Sequence, residues 1–133
     1  SANEAFARSA AAVFAAQLDP TLEELGDVKT AVSEAVTNAI VHAYPEELGV
    51  ITLRLRILEG RIFEVMVKDK GVGIPDVEQA RQPLYTTGDD SRSGMGFTIM
   101  ESFMDSLRVR SIPGKGSTVT MRKRFSPRAT GGK

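Results

Sequence analysis

Apolar positions change their period several times along the 133-residue chain. Residues 3–18 predict a helix: alanine dominates, and Phe6, Ala10, Val13, Phe14, Gln17 and Leu18 recur at helical spacing. Asp19-Pro20 ends it, since the residue before a proline avoids the helical region. Thr21 with Glu24 three residues on has the pattern of a capping box. It predicts a second helix reaching Ala43 or Tyr44, with Leu25, Val28, Val32, Ala35, Val36, Ala39 and Ile40 on its apolar stripe and Pro45 closing it. The period then shortens to two. Ile51, Leu53, Leu55 and Ile57 share one face, and Arg54 and Arg56 the other. After a Glu59-Gly60 turn, Phe63, Val65 and Val67 alternate with Glu64, Met66 and Lys68. The pattern is that of a β-hairpin with one buried and one wet face.

Residues 69–75 form a Gly-rich loop. The stretch 76–93 has few large apolar groups, so it is expected to move or to be ordered by a ligand. Gly94-Met95-Gly96 leads into a short helix from Phe97 to about Met104. A second hairpin follows over 107–112 and 117–124, turned by Pro113-Gly114-Lys115-Gly116. Helices segregated to one side of two hairpins give an α+β fold, a two-layer α/β sandwich with the helices on one face of a mostly antiparallel, mixed sheet. Residues 1–125 make one domain, and 126–133 read as a solvated tail.

Composition narrows the function. Seventeen Lys plus Arg balance seventeen Asp plus Glu, which weakens a nucleic-acid reading, because phosphate-tracking proteins carry a basic excess. There is no Cys and one His, so thiolate chemistry and multi-histidine metal sites are excluded. No apolar run approaches the roughly 20 residues of a membrane span, and no signal segment opens the chain. The expectation is a cytoplasmic protein without membrane or direct nucleic-acid partners.

Four groups of residues could carry chemistry. Glu34, Asn38 and His42 are spaced by four and share a helix face. An Asn oxygen there suits Mg²⁺, and a Glu one turn away suits a general base; a solvated polar stripe accounts for the spacing equally well. Asp69, Gly71 and Gly73 follow a strand directly. Such a carboxylate can accept from the exocyclic amine of adenine, although D-x-G-x-G alone is also an ordinary turn. Arg92, Ser93, Gly94, Met95, Gly96, Phe97 and Thr98 open a helix whose first amides face an anion, or simply cap it after a loop. Ser117 and Thr118 open the last strand, where a hydroxyl can support Asp69 or merely fill a strand position.

In this order the motifs resemble the ATP-binding family of histidine kinases and gyrase. Ser33-Glu-Ala-Val-Thr-Asn-Ala39 is similar to its anti-sigma factor serine kinases. Asn3-Glu-Ala-Phe-Ala-Arg8, Val32 to His42, Ala80-Arg-Gln-Pro-Leu-Tyr-Thr-Thr87 and Arg92 to Glu101 resemble the anti-sigma F factors of spore-forming bacteria, over about residues 1–125. The resemblance implies a Bergerat-type ATP-binding fold. It implies a Mg²⁺ ligand at Asn38, a catalytic base at Glu34, an adenine reader at Asp69, and further ATP contacts at His42, Gly71, Gly73, Thr86, Thr87, Arg92, Ser93, Gly94, Met95, Gly96, Phe97, Thr98, Ser117 and Thr118.

The implied activity is transfer of the ATP γ-phosphoryl group to a serine of an anti-anti-sigma factor. The implied partners are that substrate and a sporulation sigma factor, sigma F, both met through Arg8, with a homodimer formed through the first helix and its neighbouring strand. Alternatives are a general-stress (sigma B type) kinase, a sigma-sequestering ATP-binding module without kinase activity, and a detached histidine-kinase catalytic domain. The chain begins almost at the first helix, where the family carries a strand, so reduced dimer contacts are one expectation. Gly88-Asp-Asp-Ser91 replaces the family's usual lid segment.

Overall fold

The computed structural model describes residues 2–40, 50–70, 96–112 and 116–127. Helix α1 (Ala2–Ala15) tightens into a 3-10 turn over Ala16–Leu18 and stops at Asp19, whose backbone turns left-handed at φ 51°. Helix α2 (Leu22–Asn38) starts with the expected capping box. Thr21 Oγ1 accepts from the Glu24 amide at 3.0 Å, and Glu24 Oε1 accepts from the Thr21 amide at 2.9 Å. Helical backbone continues through Ala39 and Ile40; the predicted last turn lies outside the described residues.

Strands β1 (Ile51–Leu58), β2 (Ile62–Asp69), β3 (Ser106–Ile112) and β4 (Gly116–Arg124), with helix α3 (Gly96–Phe103) before β3, complete the described fold. The sheet order is β1-β2-β4-β3, and every pairing among the described strands is antiparallel. The last strand in sequence thus lies between β2 and β3.

The helices cover one face. Ala11, Ala15, Val28, Val32, Ala35, Val36, Phe97 and Met100 pack against Phe63, Val65, Val67, Val119 and Met121 in a single cluster. Phe63 stacks on Phe125, with ring centroids 6.0 Å apart. The apolar residues of β1 are only partly buried, and β1 is an edge strand among the described strands.

Two expectations need adjustment. The second face of the first hairpin is not uniformly wet: Glu64 is 1% exposed. Its cover is a set of arginine side chains rather than apolar core, which period-two alternation cannot foresee. The boundary at 126 also shifts. The Ser126 amide donates to Glu24 Oε2 at 2.7 Å and its carbonyl accepts from Arg61 Nε at 3.1 Å, so ordered chain runs past Phe125. Burial pushes the Glu24 carboxyl up, but donors from Ser126 and Thr21 outweigh it and hold it below its ordinary value. Arg61, at φ 62° in the β1–β2 turn, also donates to the Leu18 carbonyl that ends the 3-10 turn. It thereby fastens the first helix and the end of β4 to the same turn.

Candidate functional site

The site is built where α2, α3, the end of β2 and the start of β4 share one core. Ala35, Val36 and Ala39 flank Asn38, Val67 precedes Asp69 by two residues, and Val119 follows Ser117 by two. All five, with Phe97, belong to the buried cluster, so packing fixes the backbone beneath each polar group.

Asp69 ends β2 and is 4% exposed. It pairs across the sheet with Ser117 of β4. Ser117 Oγ donates to Asp69 Oδ2 at 2.7 Å and its amide donates to Oδ1 at 3.2 Å. Both carboxylate oxygens accept from Ser117, so these two bonds fix its orientation. Gly116 lets the strands approach. A Cβ there would collide with the Asp69 carbonyl oxygen and stand 2.7 Å from the Lys70 Cα, and its φ of +117° suits glycine. Sequence reading placed the Ser117 hydroxyl beside Asp69; it missed the requirement for Gly116.

At the other side of the site, α3 begins against Asn38. A Cβ on Gly96 would lie 2.9 Å from Asn38 Nδ2 and 3.0 Å from Oδ1. The glycine therefore makes room for the Asn38 amide, a role distinct from phosphate contact. Phe97 points into the core at 6% exposure, which leaves only its backbone to meet a ligand. Thr98 lies in the first turn and its carbonyl accepts from Ser102 at 3.0 Å. Glu34 and Thr118 are both half-buried: Glu34 lies one turn before Asn38 on α2, whereas Thr118, next to Ser117, falls on the opposite face of the sheet because successive strand residues alternate. Arg8 stands on α1 and pairs with Glu4 at 3.2 Å. His42, Gly71, Gly73, Thr86, Thr87, Arg92, Ser93, Gly94 and Met95 lie outside the described residues.

No group of three acidic or histidine side chains able to hold a metal occurs among the described residues. A hard cation here would take Asn38 and complete its shell with phosphate oxygens and water, the usual habit of Mg²⁺. The space beside Gly96 is taken by the Asn38 amide and that beside Gly116 by the main chain of Asp69 and Lys70, so both glycines serve close packing around these two polar groups. No helix among the described residues is long and apolar enough to cross a membrane.

Similarity to known proteins bears on the fold and the family. Residues 2–123 match the model of the histidine kinase-like ATPase domain. A curated anti-sigma F factor of Caldanaerobacter subterraneus subsp. tengcongensis is 59% identical over 124 residues, covering 92% of this chain and 86% of its own. One from Pasteuria penetrans is 60% identical over 127 residues, covering 94% and 85%. Among solved structures, the histidine kinase domain of a blue-light activated histidine kinase from Erythrobacter litoralis superposes with a TM-score of 0.61 at 28% identity. That match covers 77% of this chain and 45% of the other, so the chain spans less than half of that structure. The chain therefore belongs to the histidine kinase-like ATPase family, in its anti-sigma F factor branch.

Proposed function

We propose that the protein is an ATP-dependent serine kinase that binds a sporulation sigma factor and inactivates the anti-anti-sigma factor by phosphorylating it. The observation that carries the nucleotide reading is Asp69, buried at the strand end and oriented through both oxygens by Ser117. A carboxylate so held accepts from the adenine amino group and rejects guanine, which presents a carbonyl there. Asn38 would hold Mg²⁺ together with the phosphates, and the bound ion would neutralise charge on the transferring group. Glu34 would take the proton of the attacking serine hydroxyl. Arg8 would meet the two protein partners, and a homodimer through α1 and its neighbouring strand would present the sigma-binding surface. A cytoplasmic location follows from such partners.

Incubation with labelled ATP, Mg²⁺ and candidate anti-anti-sigma proteins, followed by mapping of the label, tests the reading. An acid-stable phosphoserine on the partner is expected. Glu34→Ala should abolish transfer while ATP and sigma binding persist. Transfer at the parental rate in that variant would remove Glu34 from its role, and an acid-labile phosphohistidine would remove the serine kinase.

A further inference from the structure

We propose that the open face of the sheet, opposite the helices, is a docking surface for an acidic protein segment. The strand register sets its composition. Arg56, Glu64, Arg122 and Ser106 lie in one row across the four strands. Arg54, Met66, Thr120 and Arg108 form the next row, and Thr52, Lys68, Thr118 and Arg110 the one beyond. Six cations thus stand against one carboxylate on a single face, whereas the whole chain is neutral. Such segregation raises the local potential well above what the net charge suggests.

Glu64 shows what this face accepts. Arg56 Nε donates to its Oε1 at 2.7 Å, Arg54 Nη2 lies 3.5 Å from the same oxygen, and Arg122 donates to Oε2 from Nε at 3.0 Å and Nη2 at 2.9 Å. The carboxyl is held below its ordinary range, first by the Arg56 hydrogen bond. One carboxylate cannot satisfy the whole set: Lys68, Arg108 and Arg110 make no ion pair among the described residues. A groove of about 520 Å³ runs across this face, lined by Arg54 on β1, Arg108 and Arg110 on β3, and Thr118 and Thr120 on β4 between them, with the Glu64 cluster also in its lining. At the usual strand spacing its two cationic walls stand about 14 Å apart, wide enough for an extended segment between them.

Arginine forks match carboxylates in two-point geometry. Nucleic acid fits less well, because sheet faces that bind single strands stack bases on aromatic rings, and no aromatic residue stands in these three rows.

Fluorescence anisotropy of the full chain without nucleotide, with labelled oligoglutamate as the probe, tests the proposal. Oligothymidylate and duplex DNA of equal charge are the comparison probes. Oligoglutamate should bind most tightly and weaken with salt. Arg110→Glu should lower its affinity by about tenfold, as for loss of one charged contact. Lys29→Glu, on exposed α2 surface with the same change in net charge, should have little effect. Arg110→Gln should give an intermediate loss and guards against a folding defect in the reversal. Tighter binding of either nucleic acid, equal losses from Arg110→Glu and Lys29→Glu, or no oligoglutamate binding would each overturn the proposal.

Discussion

Strand β2 carries two buried carboxylates that are held in opposite ways. Glu64, on the open face, is clasped by three guanidinium groups whose side chains remain 46–49% exposed. Asp69, five residues later and on the other face, is held by the hydroxyl and amide of Ser117, both neutral donors. Arginines neutralise Glu64 and make it part of the sheet. The bonds from Ser117 come from neutral donors, so they orient Asp69 without themselves cancelling its charge. Burial alone therefore does not distinguish the two carboxylates; the charge of these donors does.

The contrast can be broken at several points. The largest effect is expected from Gly116→Ala, which drives a methyl into the Asp69 carbonyl and forces a side chain into a left-handed backbone. It should cost about 3 kcal/mol in denaturant unfolding and abolish ATP binding by calorimetry. Glu64→Gln should cost about 2 kcal/mol, between an exposed and a fully buried ion pair, and leave ATP affinity unchanged. A lost ATP site in that variant would erase the distinction between the two carboxylates. Ser117→Ala should cost about 1.5 kcal/mol and weaken ATP, because a charged acceptor loses its orienting donor.

Acid probes the Glu64 cluster directly. The folded Glu64 carboxyl lies below its ordinary value, so its contribution is complete above about pH 4.3 and is lost as pH falls through the folded value. Denaturant midpoints measured from neutral pH downward should therefore fall more steeply for the parent than for Glu64→Gln. The smallest effect concerns a control glycine. Gly26 lies within α2, and a Cβ added there would meet nothing within 4 Å, so Gly26→Ala should stabilise by about 0.7 kcal/mol.

Much of this was legible in the chain. Thr21 with Glu24 marked the start of α2, and alternation over 51–57 and 63–68 marked the first hairpin, because both signals are local. Asp69 and Ser117 could be placed together from their motifs. Long-range geometry was harder to read. That β4 inserts beside β2 decides why residue 116 must be glycine, and no local signal announces it. The basic face was hidden by its own arithmetic. Arg-x-Arg at 54–56 and again at 108–110 was the available clue, but summing charge over the chain returned zero and obscured it.

The position of β4 also bears on synthesis. The ribosome releases β2 and β3 before the strand that joins them, so neither can complete its pairing until residues 116–124 have emerged. Ser117 arrives with that same strand. A nascent chain thus acquires its central pairing and the anchor of Asp69 in one late step, and a product cut short before β4 has neither.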